Sequence, residues 1–232
     1  MSVDSKRLRY SIKGKYLAKP LVRWFYAPLA RPVLHLVAVL RLPVSFVNFL
    51  SLILLLAAGW VILRYNEIVW VGGVLIYASI IFQIVADAWF KYSGKSGLYQ
   101  KWVEETSWLV GIFIVFSAGA VAGFIASQDY LILVLWGVAV FSFMMMHYSG
   151  ALIEVIRHQY EIKEDLSNVI KQSLGKRNSW IVTSPLGFSF EYQWSVIVLL
   201  VLLNQFVILF WLFIIFGNLK WLQGYVMLKS NK

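Results

Sequence analysis

The sequence predicts an all-α integral membrane protein, with six transmembrane helices preceded by an N-terminal interfacial amphipathic helix. Three observations predict it. Hydrophobic residues make up 60% of the chain and charged residues only 14%, with a mean hydropathy of +0.73, well outside the range of soluble globular domains. Several apolar runs approach or reach the roughly 20 residues that cross about 30 Å of hydrocarbon. The basic residues also collect on alternate connections, as they do in loops facing the cytoplasm.

Residues 1–41 form a basic tail and the interfacial helix. Leu21 to Leu40 mixes Trp24, Phe25, Tyr26, Leu29, Leu34 and Leu36 with Arg23, Arg31 and His35, a composition suited to the headgroup plane. Pro28 and Pro32 should change its direction. The stretch is too basic and too interrupted by proline to be the apolar core of a signal peptide.

The membrane domain covers 42–228. Phe46–Leu63, Ile68–Ala86, Trp108–Ala126 and Tyr130–His147 read as the first four spans. The last apolar block is too long for one span and is interrupted by Asn204-Gln205, so it reads as a helical hairpin over 190–203 and 206–226. Loop charge tests that count. Basic residues precede span one, lie between spans two and three and between four and five, and follow span six, whereas only Arg64 falls on the opposite side. This predicts a multi-pass cell membrane protein with both termini cytoplasmic.

The net charge of +10 is spread over every inner connection and is not gathered into a reading module. Anionic lipid headgroups are therefore the expected partner, and nucleic acid is not. Without cysteine, disulfide and thiol chemistry are excluded. His35, His147 and His158 are far apart and lack metal-ligand spacing. Glu154, Arg157 and His158 can share one helix face, most simply as a local ion pair. Gly119 and Gly123 give span three a flat strip for a close helix partner, from the same chain or from a second copy in a homodimer. The Met144–Met146 run and the many tryptophans read as core and as interfacial belts. Residues 161–179 form a polar, basic inner connection.

Chemistry, if any, belongs to the polar stretch from Asp87 to Glu105, which begins at the inner end of span two and ends at the start of span three. A carboxylate at a membrane boundary is costly and so a functional candidate. Asp87 is expected to face Glu104 and Glu105 across the mouth, with Lys91, Lys95 and Ser96 lining the connection. Carboxylates suit Mg²⁺ or Mn²⁺, and lysines with a hydroxyl suit phosphate. A solvated boundary loop is the plainer reading of the same charges.

The order of features resembles the CDP-alcohol phosphatidyltransferase family. The resemblance rests on the basic N-terminal helix, Arg41-Leu-Pro-Val-Ser before a span with Asn48-Phe-Leu-Ser51, Asp87 before Gly94-Lys-Ser96, the late segment from Pro185 to Glu191 and Gly217-Asn-Leu. The family has six spans. Its motif, D-x-x-D-G-x-x-A-R-x8-G-x3-D-x3-D, holds divalent metal through four aspartates, the last of which is thought to act as base. Anchored on Gly94 to Glu104, the resemblance puts Asp87 at the second aspartate with a one-residue deletion, Glu104 at the third and Trp108 at the fourth. The first falls at Ile84 or Gln83, Ala88 replaces the glycine, Lys91 takes the arginine's place, and Gln100 takes that of the loop glycine. Counting rigidly from Asp87 makes Glu105 the third and Leu109 the fourth.

The resemblance implies transfer of a phosphoalcohol group from a CDP-linked donor to a hydroxyl acceptor, with CMP release at the cytoplasmic face. Asp87 and Glu104 would hold Mg²⁺ or Mn²⁺, Lys91, Lys95 and Ser96 the phosphates, and Glu104 or Glu105 would be the base. The missing aspartates imply the alternative: the same body without catalysis, serving as a lipid-binding or partner-binding subunit.

Overall fold

The structure, a computed structural model, describes residues 22–64, 66–93, 98–159 and 190–230. No strand occurs among them. A π-helical turn over Val22–Tyr26 leads into α1 (Ala27–Leu40). Then come α2 (Val44–Arg64), α3 (Val69–Tyr92), α4 (Leu98–Ser127), α5 (Leu131–Gln159), α6 (Phe190–Leu202) and α7 (Phe206–Ser230).

Four helices, α2 to α5, are long and apolar enough to cross a membrane. They match the first four predicted spans. The described part of α6 has 13 residues, about 20 Å of helix. It turns through Leu203, Asn204 and Gln205 into α7, forming the hairpin predicted at the Asn-Gln interruption. Asn204 takes a left-handed φ of 54° there, a conformation asparagine tolerates better than most residues. The α4–α5 turn is set by Asp129, whose Oδ1 accepts the Leu131 N–H at 2.9 Å and so serves one of the donors that a helix start leaves unpaired.

α3 packs against α2, α6 and α1, while α4 packs against α2, α5 and α7. The core is aromatic at its centre: Phe116 of α4 meets Phe210 and Phe213 of α7 with ring centroids 5.5 and 4.8 Å away. Gly73 of α3 lets α6 approach, since a methyl group there would come 2.7 Å from Leu202 Cγ. The strip in α4 is used in the same way. A side chain at Gly119 would overlap the Phe206 ring, and one at Gly123 would touch Ile132 at 3.4 Å. Within the chain, the strip is thus packed by α7 and α5.

The N-terminal helix is present and packs against α3. Its stripe Ala27, Ala30, Leu34, Val37 and Ala38 is buried. At one end the Tyr77 hydroxyl donates to the Phe25 carbonyl, the Tyr26 and Tyr77 rings are 5.3 Å apart, and the Tyr26 and Ser195 hydroxyls are 3.0 Å apart. At the other end Trp89 Nε1 donates to the Leu42 carbonyl at 2.8 Å. Tyr77 and Trp89 are separated by about 18 Å along α3. Helix α1 is therefore pinned lengthwise beside α3, and both run toward the same end. Pro28 lies in the first turn of α1, where its missing N–H costs nothing, and Pro32 is accommodated inside the helix.

Candidate functional site where α2 begins and α3 ends

The site is built on a stripe of α3. Ser79, Gln83 and Asp87 recur at four-residue spacing, so they share one face. The first layer is closed. Ser51 of α2 and Ser79 lie with hydroxyl oxygens 2.8 Å apart, and each hydroxyl also reaches the other residue's carbonyl, at 3.1 and 2.9 Å. Both serines are buried, and all their polar groups are served.

One turn further on these antiparallel helices, toward the start of α2 and the end of α3, come Asn48 of α2 and Gln83 of α3. The Asn48 Nδ2 and both amide atoms of Gln83 are buried without a hydrogen-bond partner among the described residues. Another turn on, Asp87 is 8% exposed. Lys91 Nζ donates to its Oδ2, forming an ion pair within one helix. The Lys91 side chain is 46% exposed against 11% for Asp87, so the ammonium sits at the rim and the carboxylate below it. Trp89 and Tyr92 stack with centroids 5.3 Å apart at the same end.

Of the positions where the resemblance would expect aspartates, Ile84 and Trp108 are in the core, and Gln83, the alternative to Ile84, is half-buried. Ile84 is 4% exposed and Trp108 3%, and the Trp108 ring lies 4.8 Å from that of the fully buried Trp194 in α6. Leu109, the alternative fourth position, is 41% exposed. It helps line an apolar groove of about 280 Å³ between α4 and α5, with Phe113, Val140, Phe143 and Met144 among the other walls.

Of the predicted site residues, the structure brings together Asp87 and Lys91. Lys95 and Ser96 lie outside the described residues, as do the side chains of Glu104 and Glu105, whose backbone falls in α4. The side chains of Glu154, Arg157 and His158, and residues 161–179, also lie outside. Among the described residues no group of three or more His, Asp or Glu side chains converges. A two-metal clamp needs several carboxylates. Asp87 is bonded to Lys91, and the side chains of Glu104 and Glu105, the other carboxylates expected there, lie outside the described residues.

Sequence reasoning missed the Asn48–Gln83 layer and the Ser51–Ser79 lock. It also missed a second polar joint, where Asn218 Nδ2 of α7 donates to Ser142 Oγ of α5 at 2.9 Å and Trp221 Nε1 donates to Asn218 Oδ1 at 2.9 Å. The signal for the first two was the helical spacing of polar residues within apolar runs. For the third there was none beyond Gly217, whose lack of a side chain brings α7 onto Ser142.

No family model matches the chain, and no curated protein matches its sequence.

Proposed function

We propose that this chain is a six-span membrane protein on the plan of the CDP-alcohol phosphatidyltransferases that binds a phosphate-bearing ligand at its cytoplasmic face without transferring it. On this reading α6 and α7 are the fifth and sixth spans. Lys91, Lys95 and Ser96 receive the phosphate, and Asp87 fixes the Lys91 ammonium at the rim. The ligand is a CDP-linked donor or an anionic membrane lipid, and the protein serves as a lipid-binding or partner-binding subunit.

The observation that carries this is the burial of Ile84 and Trp108. Metal-assisted transfer needs oxygen ligands and a base near the phosphate, and these positions offer hydrocarbon packed into the core.

A second reading is favoured by the buried carboxylate of Asp87 beside an ammonium. Here the acceptor hydroxyl attacks the phosphorus that carries the alcohol, the bond to CMP breaks, CMP leaves, and the hydroxyl proton passes to Glu104 or Glu105. One experiment separates the two. Purified protein in lipid is offered CDP-linked donors with Mg²⁺ or Mn²⁺, and both bound donor and released CMP are measured, beside Asp87→Asn and Glu104→Gln. The expected result is binding of donor or anionic lipid with no CMP above the protein-free rate. Metal-dependent release that both variants abolish would establish transfer and overturn the proposal.

A further inference from the structure

Arg31 and His35 stand one turn apart on α1, both exposed, on the flank beside its buried stripe. Their exposed neighbours at helical spacing are apolar, Pro28, Pro32 and Val39, with the exposed Leu36 beyond. Both residues lie between the two points at which α1 is pinned to α3, Phe25 on Tyr77 and Leu42 on Trp89. Most of the α3 segment between those points belongs to its apolar run, which ends at Ala86. Arg31 therefore sits beside the apolar part of α3, farther from its Tyr92 end than Asp87.

A guanidinium at that depth is costly unless it meets an anion or reaches the interface. Helical side chains lean toward the helix N-terminus, which for α1 is away from the inner end, so snorkelling inward is disfavoured. No carboxylate among the described residues pairs with Arg31, and it makes no hydrogen bond there. Arg23 differs, because its guanidinium lies over Trp24, 5.6 Å from the ring centroid.

We infer that Arg31 and His35 form a seat for an anionic phospholipid of the inner leaflet, drawn against α1. The phosphate takes the planar fork of Arg31 and an N–H of His35, while the acyl chains lie over Leu36 and Val39. The seat depends on the membrane-spanning role of α3 and is independent of the phosphate site at Lys91.

The test uses the full chain in nanodiscs of phosphatidylcholine containing phosphatidylglycerol, with native mass spectrometry counting lipid retained after transfer to detergent. Wild-type protein should keep phosphatidylglycerol in preference to phosphatidylcholine. Arg31→Gln with His35→Gln should retain about fivefold less, the scale of one cation acting on an anionic headgroup. Arg31→Lys should recover part of that loss, and Arg41→Gln should leave retention as in wild type. The double variant should unfold at the wild-type temperature in pure phosphatidylcholine, so that lost lipid is not lost fold. Equal retention by the double variant, an equal loss in Arg41→Gln, or complete displacement by inorganic phosphate would each overturn the proposal.

Discussion

Replacing Trp108 by aspartate restores the carboxylate that the family resemblance expects, and so tests whether that position faces a site or the core. Trp108 is 3% exposed and packs on Trp194. Removing a buried tryptophan costs about 3–5 kcal/mol through lost transfer energy and cavity, and losing the ring pair adds about 1 kcal/mol. The aspartate refills part of the volume but brings a carboxyl into a dry site, at about 1–3 kcal/mol if it stays neutral and poorly bonded. The net loss is about 5 kcal/mol, comparable to the whole stability of a modest domain. Thermal unfolding followed by circular dichroism in detergent should show Trp108→Asp largely unfolded near ambient temperature. Trp108→Phe, which keeps an aromatic ring, should lose only about 2 kcal/mol. Mn²⁺ should not rescue the aspartate variant. Wild-type unfolding temperature in Trp108→Asp, together with a rise of several degrees on adding Mn²⁺, would refute the reasoning and place the position on a metal site.

Gly119→Leu should lower stability by about 1–3 kcal/mol through overlap with Phe206 while leaving the mass of the detergent complex unchanged; a loss of dimer with unchanged unfolding would mean that the strip faces another copy. Ser79→Ala should cost about 1 kcal/mol, in line with hydrogen bonds between membrane helices, as measured by unfolding in mixed micelles. Because the chain has no cysteine, of single cysteines placed at Ser93 and Gln128 one should react with an impermeant maleimide on intact cells and the other only after the cells are opened, and labelling of both on intact cells would contradict the antiparallel passage of α3 and α4.

Apolar length and loop charge made α2 to α5 and the closing hairpin readable, because a residue that must avoid water in a span leaves its mark on composition. The course of α1 was not readable in that way. Amphipathicity says that Ala27, Ala30 and Leu34 will be covered, but a bilayer surface and another helix cover them equally well. What decides is a pair of side-chain bonds to backbone carbonyls, from Tyr77 and Trp89, and neither residue stands out in a run already rich in aromatics. The Gly119 strip poses the same problem. Small residues announce a close approach, and only the fold shows that Phe206 makes it. By sequence Lys91 falls in the connection, whereas the helix runs on to Tyr92 and makes it the partner of Asp87 four residues earlier; the burial of Ile84 and Trp108 depends on how α3 and α4 are turned about their own axes.

The two halves of the candidate motif therefore carry unequal weight. A lysine four residues after an aspartate forms its ion pair from local geometry alone, and at a helix surface such a pair contributes only a few tenths of a kcal/mol. Asp87 could keep that arrangement in a protein with no chemistry at all. Trp108 is different, because its place against Trp194 ties α4 to α6 and cannot be exchanged for a carboxylate without reopening the core. The apolar positions, more than the Asp87–Lys91 pair, hold this end of the bundle together. Below Asp87 the unpartnered amides of Asn48 and Gln83 are neutral, able to donate and accept but not to neutralise a divalent cation. Among the described residues, that end of the bundle presents one carboxylate paired within its own helix, neutral amides one turn away and one lysine at the rim.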